Sequence, residues 1–297
     1  MLNVKWKTII TEMIGCQYPI ILGAFAGHDN KDLTAAISQA GGVGVLTASS
    51  YESEDKFRNA LQYVRKKTSH PFGINFSVDT NVKLGHPFYR YLDIAEDEGI
   101  KLIITAAFRA ENLGIKIQEK EMIWIHKVTT MRHAISGEKM GADAIILTSL
   151  EGGGLKNPQQ NTFLINMTNI YKYLKKPVIA SGGICDGKGM LAALILGAQA
   201  VHMCTAFLAT FESPIPEVWK RQILNADCFD PDFMQKVLHF KANKPQYTDK
   251  SMAIPHTDKI ISAEELINKM INEAEWILKN LNINDQLIDF SKLAINL

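Results

Sequence analysis

The feature that most constrains this chain is a regular alternation between residues 19 and 204. Eight short apolar runs recur there: PIILGAF (19–25), GVGVLT (42–47), PFGINFS (71–77), KLIITAA (101–107), MIWIHKV (122–128), AIILTSL (144–150), PVIAS (177–181) and AVHMC (200–204). Each has strand length and is rich in β-branched residues. Helical patterns begin between them near Asp32, Ser53, Tyr89, Ala110, Thr130, Thr162 and Gly187, and Gly41, Gly99, Gly141 and Gly197 stand where helices should stop. Strand and helix in strict alternation predict a parallel sheet with crossover helices. Eight strands at near-regular spacing predict a closed TIM (β/α)8 barrel rather than an open doubly wound sheet. The turn before the second strand agrees, because GGVGVLT places Thr47 where a dinucleotide fingerprint needs its last glycine.

The alternation stops near Glu212. SPIPEVWKRQILNA and DPDFMQKVLHF read as amphipathic helices, the polar stretch 241–259 as a loop, and SAEELINKMINEAEWILKNL as a helix capped by Ser262 with Glu265 three residues on. The expected division is a barrel over 1–212 and a C-terminal helical extension over 213–297 that covers or packs on it. With 46% hydrophobic residues and a formal net charge of +1, the chain can bury a large core and has no electrostatic case for nucleic acid or an anionic membrane. Four cysteines (Cys16, Cys185, Cys204 and Cys228) lack C-x-x-C spacing, so no zinc site or disulfide framework is expected. No leader or spanning segment is read at the N-terminus or elsewhere, and the expected location is cytoplasmic.

Chemistry in such a barrel belongs at the C-terminal ends of the strands. PVIAS breaks at Gly182-Gly183, and AVHMC ends at Cys204-Thr205. Backbone N–H groups exposed in a glycine turn and at a helix start favour a bound phosphate. A nucleotide loop is rejected: Gly182, Gly187 and Lys188 fit its pattern, but Gly189 stands where a magnesium-binding hydroxyl is required. The sixth strand leads into EGGGLKNPQQN (151–161), whose glycines, Gly153 among them, let flat backbone approach a planar ligand. Lys156 and Asn157 crowd the same edge. Glu151 is read either as a ligand contact or as a partner for Lys127 or Lys156. Strand alternation lets only one of His126 and Lys127 face the barrel interior. His28, in a glycine-bounded loop above the mouth, is an acid/base candidate.

These motifs, taken in order from Gln17 to Pro214, resemble the flavin-dependent nitronate monooxygenases (2-nitropropane dioxygenases) and the related enoyl-acyl-carrier-protein reductases II. The resemblance rests on PIILGAFAG, DLTAAISQAGGVGVL, PFGINFS, HKVTTMRHA with GADAIIL, EGGG, and the run from Gly182 to Thr210. It implies FMN at the barrel mouth. Gly23, Ala24 and Phe25 would line the flavin ring, Asn75 would bond the flavin or its ribityl chain, and Lys127 would lie near the ring. Gly182, Gly183, Cys204 and Thr205 would hold the phosphate, with Glu151 and Gly153 at the same site. No metal is implied. The family motif after strand six is similar to E-x-G-G-H, and Leu155 stands in the place of its catalytic His. His28, Lys156 and Asn157 are therefore the catalytic candidates in this chain.

The resemblance implies an FMN-dependent oxidoreductase oxidising a small nitronate-like anion with oxygen. The alternatives are an NAD(P)H-dependent flavin reductase of the enoyl type, or a flavin-binding protein that has lost the chemistry. The expected partners are a small-molecule substrate with oxygen or NAD(P)H, and no nucleic acid or membrane. A homodimer is left open.

Overall fold

The computed structural model describes residues 5–79, 82, 85–238, 246–249, 251–255, 257, 259–281 and 287–293. Eight parallel strands form its centre: β1 Ile20–Leu22, β2 Gly44–Thr47, β3 Phe72–Val78, β4 Leu102–Ala107, β5 Ile123–Val128, β6 Ala144–Thr148, β7 Val178–Ser181 and β8 Ala200–Met203. Neighbours in sequence are neighbours in the sheet, and β8 pairs with β1. The ring closes between β1 and β2, where Ile21 bridges Val43 and the Leu22 N–H donates to the Val43 carbonyl at 2.9 Å. This is a TIM barrel. Strands buried on both faces need apolar residues throughout rather than in alternation, which is why the eight runs are nearly continuous.

Helices α1 Lys31–Gln39, α2 Glu54–Lys67, α3 Pro87–Asp97, α4 Glu111–Glu119, α5 Met131–Lys139, α6 Phe163–Asn169 and α7 Gly187–Ile195 follow the first seven strands. Ser53, Thr130 and Asp186 cap α2, α5 and α7, each side chain accepting a backbone N–H of the first turn. The expected extension divides into two parts. Helix α8, Ala263–Asn280, packs between α7 and α1 and completes the outer ring, with the Ser262 hydroxyl accepting the Glu265 N–H at 3.0 Å.

Between β8 and α8 the chain makes a long excursion over the mouth. It includes the short helix Thr205–Leu208, the helices Glu217–Leu224 and Pro231–Leu238, and the strand Gln246–Thr248. Its two ends meet where Thr210 bridges Ile261 in parallel. The stretch 241–259, read as loop, lies partly outside the described residues. Where described, it holds a strand that pairs antiparallel with Gly154–Lys156, Tyr247 lying opposite Leu155. A three-residue strand on a polar edge leaves no apolar alternation to read, which is why the sequence pattern does not reveal it.

The opposite end of the barrel is closed by the helix Ile9–Ile14. Its first N–H donates to Gln199 Oε1 at 2.9 Å, and Gln199 Nε2 donates to the Phe290 carbonyl at 3.1 Å. Trp6 stacks on Phe290 at 5.8 Å, beside the parallel pair Lys5–Lys7 and Leu287–Asp289.

Candidate active site

A cavity of about 870 Å³ lies between the C-terminal strand ends and the excursion. Its floor and walls include Ala24, Phe25, His28, Ser77, Lys127, Thr148, Gly152 to Gly154, Ser181, Gly182, His202, Cys204 and Thr205. Ile215, Trp219, Gln222, Ile223, Phe233, Tyr247 and Ile254 roof it. That size and mixed lining belong to a small-molecule or cofactor site.

Strand β5 resolves the choice between His126 and Lys127. His126 is buried, and its Nδ1 meets Thr105 Oγ1 at 2.8 Å while Trp124 Nε1 donates to the same hydroxyl at 2.8 Å. Burial pushes its pKa down to about 4, so it is a neutral, satisfied histidine. Lys127, one residue on, faces the cavity. Burial lowers its pKa, and no carboxylate partner is found for its ammonium among the described residues. A cation desolvated without a partner disfavours itself, and an anion brought beside it relieves that cost.

Around Lys127 stand His202 and Cys204. Burial holds the His202 imidazole well below its usual range, with Lys127 adding to the effect, and its Nδ1 pairs with Ser181 Oγ at 3.0 Å. The Cys204 thiol is pushed up to about 11 by burial and stays protonated at neutral pH. His202 escaped the sequence reading. Its signal was alternation in β8: with Cys204 on the inside, the residue two before it faces inward too.

The ends of β7 and β8 form a cradle. Gly182 and Gly183 have φ of +99° and +75°, a conformation that favours glycine at both positions. A side chain at Gly182 would also strike the backbone N of Gly152 at 2.8 Å. Among the described residues no protein acceptor is found for the N–H groups of Gly182, Gly183, Cys204 or Thr205. Thr148 Oγ1 is buried on the same wall without a partner. Unsatisfied donors in a polar-edged cavity fit a ligand that carries an anionic group and further hydrogen-bonding atoms.

Not every sequence-predicted residue reaches the wall. Ala24, Phe25, His28, Lys127, Gly153, Gly182, Cys204 and Thr205 line the cavity, whereas Gly23, Asn75, Glu151, Lys156, Asn157 and Gly183 do not. Gly23 is locked behind it, its N–H donating to the Met203 carbonyl at 2.6 Å. Asn75 is buried and donates from Nδ2 to Ser77 Oγ at 3.1 Å, so it acts on the cavity through Ser77. Glu151 caps α6: both carboxylate oxygens accept the Phe163 N–H at 3.0 Å. Lys156, 2% exposed, turns its ammonium to the Leu150 carbonyl, and burial lowers its pKa to about 8 despite Glu151. Asn157 builds a turn, its Oδ1 accepting the Gln159 N–H at 2.9 Å. The edge read as substrate-facing is thus largely internal scaffolding. His28 does face the cavity, its ring 6.1 Å from Phe25 and edge-on to Trp219 at 6.2 Å. Trp219, Tyr247 and the other roof residues lie beyond the barrel motifs, in the extension expected to cover or pack on the barrel, whose pattern singles out none of them as cavity residues.

The fold and this wall define a (β/α)8 barrel with an anion cradle at the ends of its last two strands. Within that class the chain belongs to the nitronate monooxygenase family, whose model matches residues 7–244. It is 32% identical over 223 residues to the (3aS,4S,5R,7aS)-5-hydroxy-7a-methyl-1-oxo-octahydro-1H-indene-4-carboxyl-CoA dehydrogenase of Mycobacterium tuberculosis, covering 75% of this chain but only 61% of that relative's length. A probable nitronate monooxygenase of Staphylococcus aureus is 30% identical over 261 residues, with 74% of this chain and 73% of that protein covered. Among solved structures, a point mutant of FabK from Thermotoga maritima superposes with a TM-score of 0.77 at 25% identity, covering 93% of this chain and 98% of that one. Among the described residues no helix is long and apolar enough to cross a membrane, and no cluster of metal-ligating side chains occurs.

Proposed function

We propose that the protein is an FMN-dependent oxidoreductase that oxidises a small nitronate-like anion with oxygen. The observation that carries this reading is the Lys127 ammonium, without a carboxylate partner among the described residues, in the same cavity as Gly182, Cys204 and Thr205 of the cradle. The cradle would hold the phosphate through backbone N–H groups, so the contact does not depend on the Cys204 side chain. Ala24, Phe25 and Gly153 would flank the planar ring. FMN supplies two-electron redox chemistry when bound. Lys127 would hold negative charge at the strand-five side, and His28 is the cavity's acid/base candidate. A substrate that arrives as an anion needs no proton removed from carbon, which suits a site with Leu155 after strand six. Four free cysteines without a disulfide suit a reducing cytoplasm as the place of action.

A second reading is favoured by the roof. Ile215, Trp219, Ile223, Phe233 and Ile254 offer more apolar surface than a small anion uses. NAD(P)H-dependent reduction of an unsaturated acyl group would use it. Anaerobic titration of the FMN-loaded protein separates the two. Bleaching by propionate 3-nitronate and not by NADH or NADPH supports the oxidase. Bleaching by a nicotinamide alone moves the assignment to the reductase.

A further inference from the structure

The roof carries a group that neither the barrel motifs nor the cradle accounts for. Tyr247 lines the cavity, although it lies far along the chain from the strand ends that form the floor. Its backbone is not loose. Gln246, Tyr247 and Thr248 pair in register with Lys156, Leu155 and Gly154, and a few residues on the Met252 N–H donates to the Glu151 carbonyl at 2.8 Å. The segment is therefore tied at both ends to the loop that leaves β6. Side chains directly opposite in an antiparallel pair project from the same face, so Tyr247 shares a face with the apolar Leu155.

Several of the cavity's hydroxyls have partners. Ser181 is paired with His202, Ser77 accepts from Asn75, and the Ser251 hydroxyl is turned to the Glu151 carbonyl. On the floor no protein partner is found for Lys127 or Thr148 among the described residues. Above them Tyr247 lines the cavity while remaining largely solvent-exposed, and no partner for its hydroxyl is found among the described residues. Burial of the phenol, then Cys204 and Asp249, raise its pKa, so it remains a donor through the physiological range. Gln222 and Trp219, further roof donors, stand on the helix Glu217–Leu224 and not on this ladder.

We propose that Tyr247, carried over the cavity by the ladder on Gly154–Lys156, donates a hydrogen bond to the oxyanion of the substrate. The assignment rests on the oxidoreductase reading above and adds to it the group that recognises the reacting end. The substrate is then held by a cation from the floor and a neutral donor from the roof. A hydrogen bond to a charged acceptor is stronger than one to a neutral acceptor, so the anion depends on this phenol more than its neutral conjugate does.

The test compares FMN-loaded wild type with Tyr247→Phe, which keeps the ring and the ladder. Ethyl nitronate and nitroethane are titrated anaerobically, and nitrate, which does not reduce flavin, is titrated at equilibrium through the flavin absorbance. The expected result is about 10-fold or greater weakening for ethyl nitronate and nitrate, a smaller change for nitroethane, and unchanged FMN content and melting temperature. Equal affinity of the two proteins for both anions, with the wild type still bleached by nitronate, overturns the assignment alone. Loss of FMN or of the fold on Tyr247→Phe marks a structural role and overturns it as well. A wild type that ethyl nitronate does not bleach removes the oxidase reading together with it.

Discussion

Lys156 carries its ammonium into the protein interior at 2% exposure, and that placement has a pH signature. Its folded pKa is about 8, against 10.5 for the free side chain. The unfolded chain therefore binds the extra proton between these values, and stability rises as pH climbs through that window. The change is on the order of 3 kcal/mol if the shift is fully expressed. Unfolding free energies measured at pH 8 and pH 10 should rise more in the wild type than in Lys156→Met. Parallel behaviour of the two proteins would contradict the burial. Thr148 offers a second residue-scale test, because its buried hydroxyl has no protein partner. Thr148→Val should leave the apoprotein as stable or up to about 1 kcal/mol more stable. It should weaken FMN binding severalfold, read by flavin fluorescence quenching. At this scale the sequence was a partial guide. Backbone-defined positions such as Gly182, Cys204 and Thr205 were legible because glycine and strand-end position constrain the main chain directly. Lys156 and Asn157 looked functional because charge and polarity are visible in sequence, whereas the carbonyls and turns that absorb them are not.

Two elements have properties that the residue pattern only half announces. The Glu151 carboxylate receives the first free N–H of α6, so Glu151→Ala should cost about 1 kcal/mol, seen as a lower melting temperature. Helix α8 sits so close to α7 that a Cβ on Gly187 would lie 2.2 Å from the Met270 carbonyl oxygen. Gly187→Ala should destabilise by roughly 1–3 kcal/mol, measured as a lower urea midpoint, because neither backbone can yield without moving its helix. The existence of α8, with Ser262 as its cap, was readable from its amphipathic period and cap. Its place in the ring was not, since a long excursion separates it from β8 and periodicity records only that a face is buried. The strand Gln246–Thr248 was invisible for the complementary reason, as it gains its structure from the partner across the ladder.

At the scale of the whole molecule, the barrel was legible because each of its eight strands is buried on both faces and flanked by helix patterns. Closure shows only in the register, where Ile21 meets Val43. The extension was expected to cover or pack on the barrel, but which part does each shows only in the structure, where the excursion spans the mouth and turns a row of strand ends into a cavity of about 870 Å³. The barrel supplies cation and N–H groups from below, and the excursion supplies apolar walls and the Tyr247 phenol from above. On the proposed reading, this division lets a site with Leu155 after strand six still offer polar groups to a substrate. The proposed function requires the ends of β7 and β8 to hold a phosphate-bearing flavin. Its most direct test is equilibrium titration of the apoprotein with FMN, followed by absorbance, beside Gly182→Ala. The account predicts one FMN per chain with shifted flavin bands in the wild type and at least about 10-fold weaker binding in the variant, whose new side chain is strained at φ +99° and meets Gly152. A wild type that leaves the FMN spectrum unchanged would contradict it.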